Sequence, residues 1–181
     1  MMSPMYDNCK LKPKAVIFDL DGVLVNSAER FKRLDMDAYN KRNKKNFVKS
    51  VRHYNSNCDG DQVIPLGMLL LKTLCKDHKI FFITARGIEG YAPTLNWITS
   101  NFDDFFSSDA ELIMHPEDTN NFKFSTQFDH AEFKKREACK IMESHDIICA
   151  IDDSIDNIRA YISLGIPTLQ MTVPNLGKVL V

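Results

Sequence analysis

The sequence predicts an α/β protein with a doubly wound parallel sheet. Three short apolar runs end abruptly in polar residues: KAVIFD (Lys14 to Asp19), IFFIT (Ile80 to Thr84) and IICAID (Ile147 to Asp152). Runs of this length and composition are typical of buried parallel strands. Because ligands bind beyond the carboxyl ends of such strands, we expect the three polar ends to face one crevice.

Segments with helical periodicity separate the strands. Two more strands are predicted, from Glu111 to Met114 and from Pro167 to Met171. Proline starts, a capping box and a glycine stop indicate four helices: Pro65 to about Asp77, Pro93 through Ile98, Asp129 to about Ser144, and Ser154 to Leu164. Because strand–helix–strand crossovers are right-handed, these helices would cover the sheet in a three-layer arrangement.

The chain divides into a core and two additions. A length of 181 residues suits one domain, or one core with a small insertion. Residues 14–27 and 61–175 are predicted to form the core, and residues 1–13 an N-terminal extension. The charged residues 28–60 have helical character, which predicts a small cap-like insert after the first strand.

Composition excludes several classes of protein. A net charge of −1 predicts no bulk attraction to nucleic acid or to a membrane surface, so such binding would need a local patch. The sequence shows no signal peptide and no apolar run near the ~18 residues of a membrane span. The five cysteines form no C-x-x-C pair, so no zinc site is indicated. We expect a cytoplasmic protein (in the host cytoplasm if it is viral) without a membrane partner; the oligomeric state stays open.

The segment VIFDLDGVLVNS, residues 16–27, carries the strongest chemical signal. Asp19 and Asp21 stand two apart at the end of an apolar strand, and Gly22 allows the backbone to turn. A carboxylate on a rigid strand end suits nucleophilic attack at phosphorus, and its neighbour suits proton transfer. Paired acids also suit Mg²⁺, which takes hard oxygen ligands. A simple turn is the alternative, since Asp-Gly is an ordinary turn signal.

This segment resembles the first motif of the haloacid dehalogenase (HAD) superfamily phosphatases, an apolar strand followed by D-x-D-G-[TV]-[LV]. The resemblance implies a Rossmann-like, three-layer fold of the HAD type with a small helical insert after the first strand. It also implies a Mg²⁺-dependent phosphatase that forms an aspartyl-phosphate. Asp19 would be the nucleophile and a metal ligand. Asp21 would be the general acid/base and would lend its backbone carbonyl to the metal.

Two further motifs of that family match at strand ends. IFFITAR supplies Thr84, which would bind the phosphate, and Arg86, which would add a second phosphate contact or serve as a salt-bridge residue. ICAIDDSIDNI supplies Asp152 and Asp153 as metal-site acids, with Asp153 in the metal-binding position. Asn157 stands where the family's last acid is common.

The remaining motif is a lysine near the start of a helix, and FKKREACKI offers two. Lys135 shares a helical face with Ala138 and Met142, so it is the choice for a side chain that enters the site from a buried edge. Lys134 remains the alternative. The resemblance implies that this lysine neutralises the phosphate and the nucleophile.

The substrate is predicted from a closer resemblance. The chain is similar to the 3′-phosphatase domain of phage polynucleotide kinase/phosphatase and to related phage nucleotide phosphatases, in CDGDQVIPLGMLLLKTL (residues 58–74) and ITARGIEGYAPTLNWI. Arg30 lies at the spacing where that domain carries a substrate-binding arginine. The resemblance implies a nucleotide (5′- or 3′-phosphate) or a nucleic-acid 3′-phosphate end as substrate. No G-x-x-x-x-G-K-[ST] loop occurs, so no kinase half is indicated.

The predicted insert is locally basic, which bears on that substrate. From Arg30 to Arg52 nine lysines and arginines stand against only Asp35 and Asp37. A positive rim beside a phosphate site would attract anionic substrates, although a solvated helix face explains the charge equally well. Two alternatives stay open: a small-metabolite phosphatase, for example for a sugar phosphate, and a non-catalytic phosphate- or partner-binding module.

Overall fold

The computed structural model describes residues 11–102, 110–116 and 130–172. Within these ranges strands and helices alternate after a helical segment near the N-terminus. In chain order the elements are β1 (Lys14–Phe18), β2 (Val25–Asn26), α1 (Ala28–Phe31), α2 (Met36–Asn40), α3 (Lys44–Ser56), β3 (Gln62–Val63), α4 (Pro65–Leu74), β4 (Lys79–Gly87), a 3-10 helix (Ile88–Gly90), α5 (Tyr91–Phe102), β5 (Glu111–His115), α6 (His130–Ser144), β6 (Asp146–Asp152), α7 (Ile155–Ile162) and β7 (Thr168–Gln170).

Five strands form a parallel sheet in the order β5-β4-β1-β6-β7. The first strand is central, and the chain winds outward from it in both directions. This is the doubly wound α/β fold that the sequence predicts. The carboxyl ends of β4, β1 and β6 are adjacent, so polar residues at these ends share one crevice.

Helices cover both faces of the sheet, because the side chains of β1 alternate between them. Val16 and Phe18 pack in one cluster with residues of α4 and α5. Ala15 and Ile17 pack in the other with residues of α6 and α7. The three-layer prediction is therefore confirmed. Separately, no helix in the described ranges is long and apolar enough to cross a bilayer.

Several element boundaries differ from those predicted. The strand expected to end at Thr84 continues to Gly87, and its register with β5 shifts between these two residues. The helix from Pro65 ends at Leu74. The capping residue Asp129 lies outside the described residues, as do parts of the predicted extension and of the C-terminal end of the core.

The helical segment that follows β1 has a small core of its own. Ala38 and Phe47 are buried together, with Tyr39 and Val51 packed beside them. The paired strands β2 and β3 run antiparallel on either side of this segment in the sequence. They bring its two ends together directly after Asp21, which places the segment beside the carboxyl end of β1.

Candidate active site

Asp19 is the first residue beyond β1 and sits at the centre of the site. Its backbone N–H donates to the carbonyl of Ile151 at 2.9 Å, which extends the pairing of β1 with β6 past the end of the strand. The residue is only 6% exposed. A carboxylate fixed in this way has little freedom, which suits a nucleophile that must attack along one line.

Lys134, not Lys135, reaches Asp19. Its Nζ lies 2.9 Å from Asp19 Oδ1 and 2.6 Å from Asp152 Oδ2. The prediction that Lys135 is the lysine that enters the site is therefore wrong, because Lys134 occupies that position. Its side chain is half-exposed, whereas Lys134 is fully buried. The buried face of α6 runs through Lys134, Ala138 and Ile141, with i+4 and i+7 spacing.

Asp152 and Asp153 end β6 beside Asp19. The carboxylates of the three residues lie within 4.8 Å of one another. Asp152 is fully enclosed: besides Lys134 it accepts hydrogen bonds from the Ser154 backbone N–H and the Asn157 side chain, both at 2.9 Å. Three donors thus hold Asp152, and one carboxylate oxygen from each of the three acids could contact a shared ion.

Gly22 makes the approach of Asp153 possible. Its φ is +87°, a conformation that residues with side chains rarely adopt. A Cβ at this position would collide with the carboxylate of Asp153. The glycine of the D-x-D-G segment thus serves both the turn after β1 and the close packing of this turn against the end of β6.

The charges of this cluster do not balance. Three carboxylates face one ammonium group. Burial raises the pKa of Asp19 to about 7, with Asp152 and Asp153 adding to the rise and Lys134 opposing it. Burial lowers the pKa of Lys134, but Asp152 and Asp19 outweigh it and raise the pKa above its usual range. A divalent cation among these acids would relieve the excess negative charge, and all the donors are the hard oxygens that Mg²⁺ prefers.

Asp21 faces a second, arginine-rich cluster. Arg86 holds it in a bidentate pair, with Nε 2.7 Å from Oδ2 and Nη2 2.9 Å from Oδ1. Arg30 Nη2 also lies 2.9 Å from Oδ1. Burial raises the pKa of Asp21, but the two guanidinium groups outweigh it and hold the pKa well below its usual range.

Arg30 and Arg86 are both buried, and Asp61 joins them. The Asp61 carboxylate accepts from Arg30 Nε at 3.0 Å and Nη2 at 2.6 Å, and lies 3.6 Å from Arg86 Nη2. The Arg30 guanidinium lies over the Tyr54 ring at 3.9 Å and donates to the Tyr54 carbonyl. The phosphate contacts predicted for both arginines stay predictions, since here both groups bind carboxylates. Sequence reasoning did not select Asp61, although it lies in the acid-rich segment before α4.

Thr84 is buried at the end of the regular pairing of β4. Its hydroxyl accepts a hydrogen bond from the Arg86 backbone N–H at 3.3 Å. The register shift after Thr84 leaves two residues of β4, Ala85 and Arg86, without pairing partners on β5. Such irregularities commonly redirect a side chain next to a site. The Arg86 side chain is thereby aimed at Asp21 instead of following the pleat.

Solved structures resemble this chain over nearly its whole length. A chain of the Pnkp1/Rnl/Hen1 complex matches with a TM-score of 0.59 and 21% identity, covering 90% of this chain and 47% of that one. The haloacid dehalogenase-like family protein SP0104 from Streptococcus pneumoniae matches with a TM-score of 0.55 and 15% identity, covering 92% and 89% of the two chains. The chain has the haloacid dehalogenase fold.

A third solved structure matches to a similar extent. The putative phosphoglycolate phosphatase from Lactobacillus plantarum has a TM-score of 0.54 and 16% identity, covering 92% of this chain and 91% of that one. This chain spans about half the length of the Pnkp1/Rnl/Hen1 chain. No family model matches the sequence, and a search of curated proteins gives no significant match.

The HAD fold gathers the predicted site residues into two groups on one crevice. The acidic group contains Asp19, Asp152 and Asp153 with Lys134, and the arginine group contains Asp21 with its partners. Asp19 and Asp21 lie two residues apart in the same turn, so this turn connects the two groups directly. The arrangement places the buried Asp19 carboxylate beside Lys134 and beside two further acids that could hold a cation. Two arginines, each paired with a carboxylate, lie on the other side of the turn, and together these groups suit a bound phosphate.

Proposed function

We propose that this protein is a Mg²⁺-dependent phosphomonoesterase that works through an aspartyl-phosphate on Asp19. The observation that carries the proposal is the placement of Asp19 against Lys134 and beside Asp152 and Asp153. The fold, shared with HAD hydrolases, supports it. We further propose that the substrate is a nucleotide or a nucleic-acid 3′-phosphate end.

The chemistry of the first step follows from what surrounds Asp19. Asp19 Oδ attacks phosphorus in line, and the bond from phosphorus to the leaving oxygen breaks. Lys134 is already within 2.9 Å of Asp19, so it would offset the charge of the attacking group and of the phosphoryl oxygens. The Thr84 hydroxyl would hold another phosphoryl oxygen. Mg²⁺, when bound, would neutralise charge and orient the phosphoryl group; Asp19, Asp153 and the Asp21 carbonyl would hold it, with Asp152 adjacent.

Asp21 has two proposed tasks with opposite charge requirements. Activation of water for hydrolysis of the aspartyl-phosphate needs the ionised form, which Arg86 and Arg30 already favour. Donation of a proton to the leaving alcohol needs the neutral form. That step therefore requires the guanidinium contacts to be weakened, and an arriving phosphate, itself an anion, would compete for both arginines.

The substrate class is supported by charge and by resemblance. The segment over the site is rich in lysine and arginine, which attracts anions with several charges. The similarity to the 3′-phosphatase domain of phage polynucleotide kinase/phosphatase adds to this. One neighbour is called a putative phosphoglycolate phosphatase, and that favours the alternative of a small-metabolite phosphatase such as a sugar phosphatase.

The test is phosphate release across a substrate panel, with Mg²⁺ and with EDTA. The panel holds 5′- and 3′-mononucleotides, a 3′-phosphorylated oligonucleotide, several sugar phosphates and an aryl phosphate. We expect Mg²⁺-dependent release from nucleotides or the oligonucleotide, and none from the Asp19→Asn protein with its fold intact by circular dichroism. Release from sugar phosphates alone would overturn the substrate proposal. Wild-type turnover by Asp19→Asn would overturn the mechanism, and no turnover of any compound would favour a non-catalytic binding module.

A further inference from the structure

Positive charge is concentrated in one part of the chain. Residues 38–58 contain six lysines and arginines and no aspartate or glutamate. The rest of the chain has 17 lysines and arginines against 24 acids, so it is net acidic. A chain with a net charge of −1 therefore carries a distinctly basic segment, which consists mainly of α3.

Three of the four lysines and arginines of α3 form a stripe along one face of the helix, with Lys45 and Lys49 exposed and Arg52 half-exposed. Lys45, Lys49 and Arg52 have i, i+4 and i+7 spacing, and lie on the side of the helix opposite the buried Phe47 and its neighbour Val51. The stripe rises about 10 Å along the helix, at about 1.5 Å per residue. Lys45 and Lys49 are exposed, and neither forms an ion pair with an acid of the described residues.

The C-terminal end of α3 is attached to the active site. The Tyr54 carbonyl accepts from Arg30 Nη1 at 2.6 Å, and Arg30 contacts Asp21. The Asn55 side chain donates to Glu89 at 2.9 Å, just beyond the carboxyl end of β4. The stripe thus starts two residues before these contacts and leads away from the crevice.

We propose that the outer face of α3, at Lys45, Lys49 and Arg52, binds the phosphodiester backbone of a nucleic-acid strand whose terminal phosphate lies at Asp19. This inference rests on the proposed function and deepens it, because it selects a polynucleotide end over a free mononucleotide. A row of cations one helical turn apart matches a chain of regularly spaced anions. A mononucleotide has only the phosphate that occupies the catalytic site, so it gains nothing from the stripe.

The face is less suited to the other large anionic partner, a membrane. Helices that lie on bilayers bury large apolar side chains beside their basic residues. No large hydrophobic side chain of α3 is exposed. Its aliphatic residues face the small core of the helical segment. The helix could therefore contact a bilayer only through its charged side chains.

The test compares two double variants that remove the same charge. Lys45→Gln/Lys49→Gln changes the stripe. Lys14→Gln/Lys76→Gln is the matched control, because both lysines are exposed and lie toward the amino ends of β1 and β4, away from the crevice. Binding of an unphosphorylated single-stranded oligonucleotide is measured by fluorescence anisotropy over a salt series. Turnover is measured with a 3′-phosphorylated oligonucleotide, a mononucleotide and an aryl phosphate.

We expect the stripe variant to bind the oligonucleotide several-fold more weakly than the control variant does. Its plot of log affinity against log salt should flatten by about 1.4, or about 0.7 for each lost phosphate contact on a single strand. The kcat/KM for the oligonucleotide should fall, while the values for the mononucleotide and the aryl phosphate stay unchanged.

Equal behaviour of the two variants toward the oligonucleotide would overturn the inference, as would a loss that extends equally to the mononucleotide. Failure of the proposed function looks different. If no phosphate compound is hydrolysed but oligonucleotide binding still depends on Lys45 and Lys49, the surface is retained and the phosphatase assignment fails. Binding of both variants to anionic vesicles but not to the oligonucleotide would also overturn the inference.

Discussion

Lys134 is the residue that connects Asp19, the proposed nucleophile, to the end of β6. A single buried ammonium group bridges Asp19 and Asp152, two residues on neighbouring strands. A buried charge pair is strongly destabilised when one partner is removed, because the other is left without compensation. The same side chain therefore supports the local structure and, in the proposed mechanism, the reaction.

We predict that Lys134→Met lowers kcat by at least 100-fold, since the charge beside Asp19 is lost. Removing a single electrostatic donor of this type typically costs ~10²–10³ in kcat. Lys135→Met, one residue along the helix and half-exposed, is the matched control and should retain near-normal turnover. Phosphate release and thermal melting are measured together, so that a loss of folding is not taken for a loss of chemistry. Equal loss in both variants would argue against the assignment of Lys134.

The acids of the site were predictable from sequence, but the lysine was not. The sequence pattern places four acids at the ends of apolar runs: Asp19, Asp21, Asp152 and Asp153. An apolar run that ends in acids allows few other interpretations than a buried strand that leads into a site. Lys134 and Lys135 differ by a rotation of about 100° around the same helix. Which of them points inward depends on how α6 packs, and that is a tertiary property.

The raised pKa of Asp19 predicts how the stability of the metal-free protein changes with pH. The folded state keeps this proton up to about pH 7, whereas the unfolded chain loses it near pH 4. Each rise in pH between these values therefore favours the unfolded chain. In EDTA, the melting temperature of the wild-type protein should fall as the pH rises over this interval. The fall should be smaller in Asp19→Asn, whose amide does not titrate. An identical pH slope in the two proteins would contradict the shift.

At the level of elements, Asp61 ties the two ends of the helical segment together. Arg30 lies in α1 at the start of the segment, and Asp61 lies immediately before β3 at its end. The side chains of both are nearly inaccessible to solvent, and the Trp97 indole donates to the Asp61 carbonyl at 3.0 Å. The junction thus fixes the arginine that contacts Asp21.

We predict that Asp61→Asn reduces kcat more than it raises KM, because Arg30 loses its anchor and the geometry around Asp21 changes. Asp59→Asn, at an exposed position two residues earlier, should behave like the wild type. Steady-state kinetics on the best substrate of the panel provide the measurement. A pure KM effect in Asp61→Asn would instead assign Arg30 to substrate binding alone.

The short strands β2 and β3 show what local sequence does not reveal. Each has two residues, too few for a periodic pattern, and they pair across 35 intervening residues. The register shift after Thr84 is similar, since nothing in IFFITAR marks it. Both features place arginines around Asp21, which is why the arginine cluster was not foreseen although Arg30 and Arg86 were named.

At the level of the whole molecule, the order of elements along the chain was sufficient to predict the sheet. Strand–helix alternation permits few topologies once crossovers are right-handed. All five strands of the sheet were expected near their observed positions. The extent of contact between the helical segment and the core was not predictable, because it depends on side chains such as Tyr54 and Asn55 that carry no distinctive pattern.

We predict that Mg²⁺ stabilises the folded protein. A ligand at 100 times its Kd adds about 2.7 kcal/mol, or roughly 5–10 °C in melting temperature for a chain of this size. Asp153→Asn should remove most of this increase, since it deletes a carboxylate of the acidic cluster. Asp156→Asn, an exposed acid three residues along, serves as control. Thermal melting with Mg²⁺ and with EDTA measures the effect, and a full Mg²⁺ response in Asp153→Asn would place the cation elsewhere.

The strand order also determines when the site is lost as the protein opens. The residues of the candidate site follow β4, β1 and β6, which are the three interior strands, while β5 and β7 form the edges. Local opening begins where backbone hydrogen bonds are exposed, and central strands usually open only with the whole domain. Amide hydrogens around Asp19 should therefore exchange at the slowest rates in the chain. Fluctuations at the edges of the sheet would leave the carboxylates of the candidate site in place until global unfolding.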